Sequence, residues 1–241
     1  MGLVLVATAF TGVLSQKVNN GNSGNQTEVI SEVDIKKLCI SVSCGDHYGC
    51  GTIYDKDESS FIIVTAMHVL EDYYSGSSEE IVVTFDDQES CKAAILKDSA
   101  TLDIVFLTVD NSNISNDYYS VSDITSDLGI PYEKGELSAS KISSESSNTS
   151  MTDSILLPGQ TIYFVDANTG DIYAGSIASP SVYSEDFGMD MIYCYCAVTP
   201  GMSGTGMFDE DGNYLGILLG GSDEAEAVCL DAGSIKDGYL N

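Results

Sequence analysis

Ser203, set in Pro200-Gly201-Met202-Ser203-Gly204-Thr205-Gly206, is the group in this sequence best placed to act as a nucleophile. Glycines on both sides allow a tight turn that exposes the hydroxyl and frees neighbouring backbone N–H groups to face an oxyanion. A serine hydroxyl attacks poorly at neutral pH unless a histidine takes its proton and a carboxylate holds that histidine in the right tautomer. The chain contains two histidines. His68 follows the β-branched run Phe61 to Thr65, where a strand gives way to a short helical turn. His47 lies in a Gly-flanked loop between Cys44 and Cys50, lacks that strand-to-turn pattern, and reads as a surface histidine. Asp103 opens the apolar strand Ile104-Val105-Phe106-Leu107, which suits it for burial against a histidine better than Asp98 or Asp110 on either side. His68, Asp103 and Ser203 are therefore the candidate base, orienting carboxylate and nucleophile, in that chain order.

In these segments the chain resembles the trypsin-like serine endopeptidases of the double β-barrel fold, and most closely their bacterial high-temperature-requirement branch. In that family a G-x-G strand precedes V-T-A-x-H-V, a D-[IL]-A-[VL]-L strand carries the aspartate, and P-G-N-S-G-G-P opens the nucleophile strand. The matching segments here are Gly49-Cys50-Gly51-Thr52-Ile53, Val64 to Val69, Leu102 to Leu107 and Pro200 to Gly206, and the resemblance runs from about Ile40 to Leu219. It implies a secreted or surface-anchored serine endopeptidase that hydrolyses peptide bonds through a His-Asp-Ser triad and an acyl-enzyme. It implies an oxyanion hole made by the backbone N–H groups of Gly201 and Ser203. It also implies a substrate pocket lined by Ala197, Thr199, Leu218 and Gly220, which carry no carboxylate, so small or aliphatic substrate side chains are expected. Met202 stands where the family has Asn or Asp, and Thr205-Gly206 where it has Gly-Pro. Because the implied donors are backbone groups, changed side chains need not remove them. The alternatives are a catalytically inactive protease-fold binding or sensing module and a cell-surface structural protein. Intact triad residue types favour the enzyme over the first, and three ordered motifs argue against the second. No appended peptide-binding domain and no activation by N-terminal cleavage are expected.

Stepping along the chain, alternating β-branched and polar residues mark six short strands in the first half: Leu38–Ser43, Gly51–Tyr54, Phe61–Thr65, Ile81–Phe85, Cys91–Leu96 and Ile104–Val109. Six more follow at Gln160–Val165, Asp171–Ile177, Met189–Val198, Gly204–Phe208, Tyr214–Leu219 and Ala227–Leu230. Helical turns are expected near Val33 to Leu38 and Ala66 to Tyr73. Polar residues 111–135, with Gly129 and Pro131, read as a surface crossover, and 138–154 as an exposed Ser-rich loop. The expected fold is all-β, with two six-stranded antiparallel barrels at about 36–110 and 136–235 and the active site in the cleft between them. Ala167-Asn168-Thr169-Gly170-Asp171 and Asp211-Gly212-Asn213 have hairpin-turn chemistry.

The 241 residues carry 9 cations against 37 carboxylates, a net charge of −28, and every cation is a lysine. Such a surface repels the phosphate backbone, so nucleic acid is not an expected partner; the charge is read as a soluble, acidic surface. Protein or peptide substrate is the expected partner. Residues 1–15 form an apolar run of signal-peptide length or a truncated membrane anchor, with cleavage expected after Ser15, and 16–30 a flexible linker before the domain at 31–241. This places the protein outside the cytoplasm, with a possible tether to the membrane through the N-terminus. Seven cysteines leave at least one unpaired. Cys44, His47 and Cys50, with Cys39, have zinc-ligand types, but a Cys44–Cys50 disulfide or simple burial outweighs a metal site, and no metal or cofactor is expected. A calcium loop at Asp209-x-Asp211-Gly212-Asn213 would place Gly220 where a bidentate Glu belongs, so a hairpin turn is expected there instead.

Overall fold

The computed structural model describes residues 35–85, 89–114, 118–124 and 156–241. The segments read as signal peptide or anchor, linker and Ser-rich tract lie outside these residues, as does the crossover beyond residue 124. Twelve strands form β1 (Cys39–Cys44), β2 (His47–Lys56), β3 (Ser60–Ala66), β4 (Ile81–Thr84), β5 (Ser90–Ser99), β6 (Ile104–Asp110), β7 (Thr161–Asp166), β8 (Asp171–Ser184), β9 (Met189–Tyr195), β10 (Gly206–Asp209), β11 (Tyr214–Ser222) and β12 (Glu226–Asp231). They close into two antiparallel barrels, in the orders β1-β2-β3-β6-β5-β4 and β10-β11-β12-β9-β8-β7. The expected double barrel is borne out. Closure leaves neither sheet an unpaired edge.

Burial along the strands explains their sequences. In β5 more and less exposed residues alternate strictly, as expected where one face meets solvent. By contrast β6, between β3 and β5, is buried from Ile104 through Leu107, and its Ile104 and Phe106 meet the C-terminal helix at Gly238 and Tyr239. One buried cluster joins Ile40, Ile53, Ile63 and Phe106 of the first barrel to Val165, Phe208, Tyr214 and Ile217 of the second. A separate cluster around Ile162, Phe164, Ile177, Met202 and Met207 fills the second barrel. Each fully buried side chain of this kind stabilises the fold by about 1.5 to 3 kcal/mol before entropy is subtracted.

Two features depart from the expected plan. The chain ends in a helix, Ala232–Leu240, capped by Asp231, whose carboxylate accepts the Ser234 N–H at 2.9 Å. Tyr239 of this helix packs edge-on against Tyr54 and tilted against Phe106, so the helix leaves the second barrel and braces the first. Periodicity was a poor guide here because Gly233, Ser234 and Gly238 are weak helix formers; tertiary packing decides it. The described start of the crossover also departs. Tyr118, Ser120 and Val121 are buried, and Tyr118 stacks on Phe85 and Phe61, so residues 118–124 cap the first barrel rather than crossing its surface.

Candidate active site

His68 occupies a 3₁₀ turn, Met67–Leu70, that follows β3 directly. Buried Val69 and Leu70 anchor the turn and leave His68 facing outward, with 43% of its side chain exposed. Pairing of Ala66 with Ile104 sets Met67 beside Asp103, whose carbonyl accepts the Met67 N–H at 2.8 Å. Asp103 sits at φ +52°, a left-handed conformation that Asp tolerates better than most residues. There its carboxylate grips the turn twice: Oδ1 accepts the His68 backbone N–H at 3.1 Å, and Oδ2 lies 2.6 Å from His68 Nδ1. An ionised carboxylate only accepts, so Nδ1 carries the proton and Nε2 presents its lone pair to the cleft.

The nucleophile turn alternates tied and open peptide groups. Met202 N–H donates to Thr199 O at 3.2 Å, Gly204 N–H to Leu218 O at 2.7 Å, and Thr205 N–H to Met202 O at 3.0 Å. The N–H groups of Gly201 and Ser203 have no acceptor among the described residues. Ser203 O accepts the Cys50 N–H at 2.8 Å, and Gly204 O accepts the Thr52 hydroxyl at 3.3 Å, so the first barrel holds this turn of the second. Gly204, at φ +90°, is packed so closely that a Cβ would overlap the Cys50 carbonyl oxygen and the Thr65 hydroxyl. Gly49 marks where the two halves meet: a Cβ there would run into Val69, next to His68, and stand 2.8 Å from Ser203 O. Ser203 is half-buried, and no hydrogen bond links its hydroxyl to His68 or to any other described residue.

The two departures from the family motif both point inward. Met202 is fully buried in the second-barrel core, and its sulfur accepts the Thr199 N–H at 3.3 Å. Thr205 is fully buried and donates its hydroxyl to Val165 O at 2.5 Å. Neither side chain enters the cleft.

A cavity of about 220 Å³ opens beside Ser203, walled by Val198, Thr199, Pro200, Leu218, Gly220, Gly221 and Ser222, with Asp223 also at its lining. Thr199, Leu218 and Gly220, expected to line a substrate pocket, line this cavity. Ala197 does not: it is exposed and outside the lining, and Val198 occupies that wall. Asp223 corrects the expectation that the pocket carries no carboxylate. It belongs to the turn between β11 and β12, which adjacency to the motif does not reveal.

Other candidates are accounted for. His47 Nδ1 lies 3.1 Å from Asp72 Oδ2 and Nε2 3.4 Å from Glu71 Oε2, contacts of ion-pair rather than hydrogen-bond geometry. The Asp72 carboxylate, helped by Glu71 and Asp46, raises its pKa above the usual 6.5. Cys44 pairs with His47 and Cys50 with Ser41, so they sit apart along the ladder, and no disulfide joins any of the seven cysteines. Burial pushes the Cys50 thiol up to about 12, which leaves Ser203 without a thiolate rival beside it. Asp209 spends its carboxylate on Asp211 N, Asn213 N and Asn213 Nδ2, as a hairpin turn requires. The sequence reading treated Asn168 as a turn residue only, yet its side-chain amide reaches Gly201 O at 3.0 Å. Its place in a turn signature gave no sign of that reach.

Comparison with known proteins places residues 49–217 in the family described as the trypsin-like peptidase domain, well over half of the chain. Among solved structures the chain is similar to Rv3671c from M. tuberculosis H37Rv, crystallised as a serine-to-alanine mutant in an inactive form. The two align with a TM-score of 0.58 at 14% identity, over 92% of this chain and 95% of that one. At such identity the likeness concerns the fold. No curated protein matches the chain significantly.

Proposed function

Because the chain belongs to the trypsin-like peptidase domain family, we propose that it is a serine endopeptidase using His68, Asp103 and Ser203. The observation that carries this reading is the pairing of His68 Nδ1 with Asp103 at 2.6 Å across the cleft from a serine turn with two open backbone N–H groups. His68 Nε2 takes the Ser203 proton as the hydroxyl oxygen attacks a peptide carbonyl. Asp103 keeps the ring in its tautomer and stabilises the imidazolium without taking a proton. The Gly201 and Ser203 N–H groups bind the tetrahedral oxyanion, each worth about 3 to 4 kcal/mol of barrier lowering. His68 then protonates the leaving amine, and water attacks the acyl-enzyme by the same route in reverse.

The Ser203 hydroxyl must turn toward Nε2 for the first step, a rotation about one staggered torsion, and such bonds commonly tighten only when substrate binds. Its missing hydrogen bond is the one observation that favours the second reading, a protease-fold binding module without catalysis. The cavity beside Ser203 is proposed to take the side chain preceding the cleaved bond. Its Val198 and Leu218 walls favour small or aliphatic groups, since exposed Asp223 is screened by solvent. Closeness to the high-temperature-requirement branch is proposed from the four matching segments, Gly49 to Ile53, Val64 to Val69, Leu102 to Leu107 and Pro200 to Gly206. Export is supported by the apolar residues 1–14, and N-terminal sequencing of exported protein should begin at Gln16.

Labelling with a fluorophosphonate, compared across wild type, Ser203→Ala and His68→Ala, tests the catalytic reading. Labelling lost in both variants is expected. A folded wild type that resists labelling would favour the binding module.

A further inference from the structure

We propose that Asn168 is a positioning residue for the oxyanion-binding turn, an inference that rests on the peptidase reading above. Between β7 and β8 the chain turns through Ala167-Asn168-Thr169-Gly170, and the Asp166 carbonyl accepts the N–H groups of Thr169 and Gly170 at 3.3 and 2.7 Å. Those bonds suffice for a hairpin. Asp166 does more: its buried carboxylate accepts both the backbone N–H of Asn168, at 2.9 Å, and its side-chain Nδ2, at 3.1 Å. An amide nitrogen has two protons. The second is donated to Gly201 O at 3.0 Å, 33 residues away. Cys50 Sγ closes the cluster, 3.4 Å from the same carbonyl and 3.5 Å from Nδ2.

The consequence follows from the order of peptide groups in the turn. Gly201 stands at φ +93°, with Tyr48 packed where a Cβ would be. Glycine enters left- and right-handed conformations with similar ease, so the chain by itself does not keep the Gly201 N–H facing the cleft. The next peptide group must hold it there. That group is tied at both ends, its oxygen by Asn168 and its N–H, on Met202, by Thr199 O. The peptide group after Ser203 is likewise tied, through Ser203 O to Cys50 and Gly204 N–H to Leu218 O. With these two groups tied, the Ser203 N–H between them and the Gly201 N–H just before them are left open to the cleft. Without the Asn168 donor, the Gly201 carbonyl retains only the weak thiol contact, and rotation at Gly201 can turn its N–H away.

Asn168→Ala removes the donor, and Asn168→Leu keeps much of the side-chain volume with no polar hydrogen to give; should the first fail to fold, the second carries the same comparison. Expected is a fall in kcat of roughly 10- to 100-fold, smaller than the about 100- to 1,000-fold loss when an oxyanion donor itself is removed. KM should stay within about twofold, because ground-state binding does not use the oxyanion hole. Affinity for a peptidyl trifluoromethyl ketone, which forms an oxyanion on Ser203, should fall by the same factor as kcat, with the protein still fully folded at the assay temperature. Unaltered kcat, or losses in kcat and KM that track a lowered Tm, would overturn the proposal. Crystal structures of the two variants decide the matter even if wild type neither labels nor hydrolyses peptides, an outcome that would defeat the peptidase reading instead. A turned Gly201 peptide supports the positioning role; a Gly201 N–H still facing the cleft with its carbonyl unmoved refutes it.

Discussion

The base and the nucleophile are held in different ways. His68 and Asp103 are joined by three hydrogen bonds between residues 67, 68 and 103, all within the first barrel. The Ser203 turn depends on groups from elsewhere, namely Cys50 N–H and the Thr52 hydroxyl of β2. One barrel builds the base; two docked barrels build the nucleophile. Damage at the barrel interface should therefore disorder the serine turn first and leave the histidine–carboxylate pair standing.

The sharpest test of the self-contained half is Asp103→Asn. The amide reverses the hydrogen bond, leaves the imidazole in the wrong tautomer, and should lower kcat by about four orders of magnitude with little change in Tm. Retained turnover would show that Asp103 does not orient the base. At the interface, Gly204→Ala forces a side chain into the Cys50 carbonyl at a left-handed backbone position. A loss of roughly 2 to 4 kcal/mol in urea unfolding is expected, with activity lost and the low-field imidazole proton of the His68–Asp103 pair still visible by NMR. If that resonance disappears as well, the halves are not independent. Thr52→Val is a gentler version, removing one buried hydroxyl from Gly204 O. It should cost about 1 kcal/mol and lower the rate of fluorophosphonate labelling rather than abolish it.

Smaller effects belong to the periphery of each half. Asp223→Asn at the exposed edge of the cavity should change the preference for lysine over alanine at the cleavage site by less than about fivefold, since an exposed ion pair is worth under about 1 kcal/mol. His47, beside Asp72, has a raised pKa, so its contribution is full below the ordinary imidazole value of 6.5 and is lost as pH rises through the raised one. Asp72 is lowered from 3.8, mainly by the Asp46 N–H and then by His47, so its contribution is lost only as pH falls through that lowered value. Thermal melts from pH 5 to 8 should therefore show a shallow decline in wild type that His47→Gln flattens.

Much of this was legible because barrel strands and triad segments are local patterns. Every strand expected from alternation has a counterpart, and His68, Asp103 and Ser203 each sit at a strand-to-turn junction visible in a window of ten residues. The failures share a cause. The helix at Ala232–Leu240 and the burial of Tyr118 depend on surfaces supplied by distant segments. Ala197 stays outside the cavity that its neighbours Val198 and Thr199 line, which only the folded chain reveals.

By itself the sequence determined the chemistry on offer: which residue types stand in order, an acidic chain free of arginine, and twelve strands whose period follows from the pleat of the backbone. Only the tertiary structure decided what those groups face. Asn168 reaches Gly201, Asp223 lines the cavity, and Cys50 props the serine turn, because barrel closure brings residues dozens to over a hundred positions apart within hydrogen-bond or lining distance. Local preference sets the conformation of each segment, but the direction of a hydrogen bond across a docked interface exists only once both surfaces do.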